Sequence, residues 1–126
     1  MEVSMLKCKL HRARVTETHV DYEGSCAIDE NLMEAAGILE YEEIHMWNVT
    51  SGERFITYAI KGERGSRMVS VNGAAAHLVK EQDVVIIAAF ARMPPQEAKL
   101  FKPALIYLNA ENHIERTGET IPVQAA

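Results

Sequence analysis

Asp83-Val84-Val85-Ile86-Ile87-Ala88-Ala89-Phe90 is an apolar, largely β-branched run that starts at a charged boundary. Its length and branching predict a strand buried on both sides. Similar short segments surround it. From Leu6 to Val15 the pattern alternates, with Leu6, Cys8 and Leu10 on one side and Lys7, Lys9 and His11 on the other. Ile44 to Val49, Arg54 to Ile60, Met68 to Val71 and Leu105 to Leu108 also read as strands. Thr50-Ser51-Gly52-Glu53 is the turn between two of them. Helical signals are few. Asp29 caps a short helix carrying Leu32, Met33 and Ala36, and Gly37 ends it. Asn72 to Leu78 reads as a turn feeding one or two helical turns, and Pro94 to Ala98 opens a third helix. The polar stretch after Asn109 is expected to be partly loose. Many short strands with small helical inserts predict a mainly β protein, a compact barrel rather than a βαβ sheet.

The chain has 126 residues, 48% of them hydrophobic and 25% charged, which suits one soluble domain spanning 1–126. Thirteen basic residues against eighteen acidic ones give a net charge of −5, and aromatic content is 6%. Both disfavour nucleic-acid binding, which wants positive charge and stacking surfaces. Cys8 and Cys26 lack metal or redox spacing and read as free thiols. The apolar run Val84 to Ala91 is far shorter than the ~20 residues that span a membrane. No signal peptide precedes the first strand, so a cytoplasmic protein is expected. His11, His19, His45, His77 and His113 show no helical pairing that would hold a metal.

Three segments remain. In Tyr22-Glu23-Gly24-Ser25-Cys26-Ala27, the Gly24-Ser25 bond is an ordinary loop dipeptide or something rarer. A serine hydroxyl can attack the carbonyl before it, and glycine tolerates the twisted backbone that this needs. The amide becomes an ester, β-elimination breaks the chain, and the serine ends as a pyruvoyl group. On an ideal strand Arg54, Ile56 and Tyr58 share a face while Thr57 points the other way. Arg54 and Tyr58 then either line one site or are a solvated cation and a half-buried ring. Asn72-Gly73-Ala74-Ala75-Ala76-His77 is either a plain helix start or a backbone that a carboxylate approaches closely.

Taken together, these segments resemble the bacterial aspartate decarboxylases, pyruvoyl-dependent enzymes of pantothenate biosynthesis. The matching residues are Lys9-Leu10-His11-Arg12, Tyr22 to Ala27, Trp47-Asn48-Val49-Thr50 with Gly52, Arg54-Phe55, Thr57-Tyr58-Ala59-Ile60, Glu63-Arg64-Gly65-Ser66-Arg67, Ser70 to His77, and Ile121-Pro122-Val123-Gln124. Variation is concentrated from Pro95 to Thr120. The resemblance implies a six-stranded double-psi β-barrel with short helices. It implies a homotetramer with sites between neighbouring subunits. It also implies self-cleavage at Gly24-Ser25 into chains 1–24 and 25–126, with Ser25 becoming the covalent pyruvoyl cofactor that forms a Schiff base with L-aspartate. Neither a metal nor pyridoxal phosphate is implied. Thr57 would hold the Gly24 carbonyl during the acyl shift, and Tyr58 would be the proton donor. Lys9, Arg54, Thr57 and the N–H groups of Gly73, Ala74 and Ala75 would bind substrate, supported by His11 and Asn72. Maturation either runs unaided or needs a helper protein. The rival readings are a non-catalytic barrel that binds a partner and a folded precursor that stays uncut.

Overall fold

The computed structural model describes residues 1–126. In chain order it contains β1 (Val3–Arg14), β2 (Glu17–His19), β3 (Cys26–Asp29), α1 (Glu30–Ala36), β4 (Glu43–Asn48), β5 (Arg54–Gly62), β6 (Val69–Asn72), a 3-10 helix (Gly73–Leu78), β7 (Val84–Met93), α2 (Pro95–Ala98), β8 (Ala104–Leu108) and β9 (Ile114–Gly118). The strands form one sheet in the order β2-β6-β3-β5-β4-β7-β1-β8-β9. The fold is therefore mainly β with short helices, as expected. The strands number nine, and the end strands β2 and β9 are not paired with each other.

The apolar run becomes β7, which is antiparallel to β1 on one edge and to β4 on the other. Val85, Ile87, Ala88 and Ala89 are buried, but Val84 and Ile86 are half-buried and Phe90 is exposed. Burial on both sides thus holds for part of the strand only. The outer side carries His45, Trp47 and Phe90, with the His45 and Phe90 rings 4.9 Å apart.

In β1 the register slips twice. The first slip, between Leu6 and Cys8, leaves Leu6 half-buried opposite the exposed Phe90, while Cys8 and Leu10 are buried. The second comes after Leu10. Leu10 pairs with Ile87 and Ala13 with Val85, so β1 has one residue more than its partner there. Arg12 takes up the bulge at φ 64°. Beyond it, inward positions change parity to Ala13 and Val15. A core of 21 buried residues runs from Cys8 to Leu108, and Leu32, Met33 and Ala36 of α1 contribute to it. Fully buried side chains such as Leu10, Ile28, Ile44 and Ile87 each contribute roughly 1.5–3 kcal/mol.

Asp29 does more than cap α1. Its carboxylate accepts from the N–H groups of Asn31 (2.8 Å), Gly65 (3.0 Å) and Arg67 (2.6 Å). One buried side chain therefore starts the helix and ties down the polar loop after β5. Gly37 ends α1 at φ 77°, where glycine avoids a Cβ clash. The stretch after Asn109 is more ordered than its polarity predicts, since β9 pairs with β8. No helix is long and apolar enough to cross a membrane.

Candidate active site

β3 runs parallel to β5, with Cys26 opposite Ala59. This register sets Ser25, just before β3, beside Thr57 and Tyr58. Alternation along β5 turns Phe55, Thr57 and Ala59 inward and leaves Arg54, Ile56 and Tyr58 exposed, as the strand pattern predicts. The consequence is a hydrogen bond between the Ser25 and Thr57 hydroxyls, in which either can donate. Ser25 itself is buried.

The carbonyl of Ser25 is held from the other side. Asn72 Nδ2 donates to it at 2.8 Å, and Asn72 Oδ1 accepts from Ser70 Oγ at 2.9 Å. A side chain at Gly24 would press on the tip of Ile60. A Cβ built there would lie 2.5 Å from Ile60 Cδ1. Tyr58 Oη lies 3.5 Å from the Glu23 carbonyl oxygen, a long and therefore weak contact.

These residues open onto a pocket of about 440 Å³. Gly24, Ser25, Thr57 and Tyr58 line one part of it, and Asn72, Gly73, Ala74 and Ala75 line another. Asn72 makes no side-chain cap to the 3-10 helix that follows, so the first N–H groups of that helix have no partner from it. A larger hollow, about 790 Å³, shares Tyr22 and Asn72 with this pocket but does not include Ser25. Of the two, the smaller pocket holds the Ser25 hydroxyl and the Gly24-Ser25 bond.

Cys26 follows Ser25 directly but offers no competing nucleophile. Burial pushes its thiol up to about 12, so the thiolate is scarce at neutral pH. No group of three or more His, Cys, Asp or Glu is arranged to hold a metal.

Lys9, His11 and Arg54 are not among the lining residues within one chain. Lys9 lies on β1 opposite Ala88 and Leu105. His11 packs edge-on against Tyr107, with ring centroids 5.4 Å apart. Its Nδ1 is buried without a partner, and its pKa is lowered by burial first and then by Lys9, Arg12 and Arg116. The Arg54 guanidinium lies 5.0 Å from the Trp47 ring centroid. Sequence reasoning gave no role to Ser70 or Ile60. A serine between two buried valines was the available signal for the first, and nothing local marked the second.

A hydroxyl held against its own chain at a Gly-Ser bond faces a pocket of small-molecule size in a barrel-like β fold, an arrangement that makes Ser25 a candidate nucleophile. Comparison with known proteins gives the family. The aspartate decarboxylase family profile matches residues 1–115. Aspartate 1-decarboxylase of Thioalkalivibrio sulfidiphilus (strain HL-EbGR7) is 58% identical over 126 residues, the whole of both chains. That of Halorhodospira halophila (strain DSM 244 / SL1) is 59% identical over the same span, and that of Stenotrophomonas maltophilia (strain K279a) 56%, again covering both chains fully. The chain belongs to the aspartate decarboxylase family.

Proposed function

We propose that this chain decarboxylates L-aspartate to β-alanine and CO2, for pantothenate synthesis, through a pyruvoyl group that it makes from Ser25. The observation that carries the reading is the double hold on Ser25. Its hydroxyl meets Thr57, and its carbonyl meets Asn72. The domain spans 1–126 and is cut into 1–24 and 25–126.

The cut follows from the residues around it. Ser25 Oγ attacks the Gly24 carbonyl carbon, and Thr57 stands beside that hydroxyl as a donor for the oxyanion that develops. The C–N bond breaks, the nitrogen takes a proton, and an ester remains. Loss of the Ser25 Cα proton sends an electron pair towards the Ser25 carbonyl, where Asn72 Nδ2 donates. That pair then forms the Cα–Cβ double bond and expels the Gly24 carboxylate. Water replaces the nitrogen and releases ammonia. The surroundings fit the product, because the carbonyl already has its donor and the pocket lies in front of it.

The pyruvoyl group supplies a ketone that binds the substrate amine and accepts the electrons left by the departing carboxylate. The other roles belong to side chains and backbone. Tyr58, on the pocket wall, donates the proton that replaces CO2. The N–H groups of Gly73, Ala74 and Ala75 take a substrate carboxylate. Lys9 and Arg54 come from a neighbouring copy in a homotetramer, with His11 and Asn72 orienting the site. Their absence from the pocket of a single chain supports this, since a dicarboxylate needs cationic anchors. On this reading the enzyme works in the cytoplasm, with no nucleic-acid partner, and a maturation factor sets the rate of the cut if the chain alone is slow.

Intact mass under denaturing conditions tests the reading. Two species split at Gly24-Ser25 are expected, the larger lacking ammonia relative to a serine start. Aspartate with borohydride should add mass to that larger species only. Ser25→Ala should stay whole and inactive; cleavage at the same bond in that variant would remove Ser25 as the nucleophile.

A further inference from the structure

β6 reads Val69-Ser70-Val71-Asn72, and all four residues are buried. A hydroxyl between two valines in such a strand needs a reason. Ser70 is 2% exposed, and its hydroxyl donates to Asn72 Oδ1 at 2.9 Å. Residues two apart on a strand share a face, so this bond follows from the strand itself. The other end of the same amide donates to the Ser25 carbonyl at 2.8 Å. The result is a buried relay, Ser70 to Asn72 to Ser25, aimed at the one carbonyl next to the reacting carbon.

We infer that Ser70 is a positioning residue, acting through Asn72 on the Ser25 carbonyl both in self-cleavage and in turnover. The inference rests on the function proposed above. An amide has a donor end and an acceptor end. If it were flipped, its oxygen would face the Ser25 oxygen, two acceptors together. A proton from Ser70 on Oδ1 holds the productive orientation. It also draws electron density to that oxygen, which makes the Nδ2 hydrogens better donors. The donor is most needed when charge builds on the Ser25 carbonyl oxygen as the Cα proton leaves. After the cut the same carbonyl borders the ketone and shares the electrons released with CO2. Removing Ser70 leaves Oδ1 buried without a donor and frees the amide to turn.

The experiment is a double-mutant cycle on the rate of self-cleavage, followed by intact mass on freshly made full-length precursor. Ser70→Ala should slow the cut about tenfold, the effect of losing one buried hydrogen bond. Asn72→Ala should slow it at least as much. In the Asn72→Ala background, Ser70→Ala should change nothing further, because its effect passes through that amide. Ser70→Cys keeps the shape and weakens the donor, so it should fold and still cut slowly, which guards against a failure of folding. In the cleaved fraction of Ser70→Ala, kcat should fall with KM unchanged. Equal slowing by Ser70→Ala in both backgrounds, or none in the first, overturns the inference. Cleavage of Ser25→Ala, run in parallel, would instead overturn the underlying function.

Discussion

Gly24 shows how far a single residue is explained by its neighbours. From its sequence context Gly24 takes a backbone role, the freedom to twist during attack. The structure adds a plainer constraint, because Ile60 Cδ1 fills the space a side chain would need. The two accounts predict different rescues. Gly24→Ala should slow self-cleavage about tenfold or more, since a displaced carbonyl loses the alignment that attack requires. Ile60→Val removes Cδ1 and should restore most of the rate if crowding is the cause. A double variant as slow as Gly24→Ala alone would return the explanation to backbone twist. The measurement is the uncut fraction against time, by mass.

Elements were legible where their signals are local. The Asp29 cap and the Gly37 stop mark α1, and the turn at Gly52 separates β4 from β5. Three elements escaped for physical reasons. Two of them are β2, which has three residues, and β3, which is buried on both faces and so never alternates. The third, β9, is mostly exposed and polar, so no apolar face announces it. The turn before β9 adds to the pairing with β8. Asn112 Oδ1 accepts from Arg14 N–H at 2.7 Å, and its Nδ2 donates to the Arg14 and Arg67 carbonyls at 2.9 Å each. This one side chain fastens the hairpin to the end of β1 and to the loop that Asp29 holds. Asn112 sits at φ 61°, which glycine adopts freely. Asn112→Gly should therefore keep the turn yet lose about 1–2 kcal/mol, because partly buried backbone groups lose their partners. Urea denaturation with the Ser25→Ala precursor as background isolates stability from processing. An unchanged midpoint would show that the hairpin is held by backbone pairing alone.

The whole molecule is where strand spacing stops being informative. Parity on β5 correctly separates Thr57 from Arg54, Ile56 and Tyr58, yet it cannot say which surface of which copy Arg54 serves. The pocket residues Gly24, Ser25, Thr57, Tyr58 and Asn72 to Ala75 converge within one chain, while Lys9, His11 and Arg54 lie outside the pocket. Arg54 stacks on Trp47, beside Phe90 and His45. Phe90 is 39% exposed and Ile56 60%, so exposed apolar side chains lie on the same face as the guanidinium. The shared site proposed above would account for both facts, and subunit mixing tests it. Tyr58→Phe and Arg54→Ala chains, each made alone, should cut normally and decarboxylate poorly. Co-expressed, they should recover activity in about a quarter of the sites, because random assembly pairs an intact Tyr58 with an intact Arg54 from the next copy at that frequency. The cleaved mixed assemblies are assayed for β-alanine formation, with equal amounts of the two single-variant assemblies combined after purification as the control. Recovery confined to the co-expressed sample means that Tyr58 and Arg54 serve one site from two chains. If co-expression recovers nothing, both act from the same chain, and Arg54 must then leave Trp47 to reach the pocket.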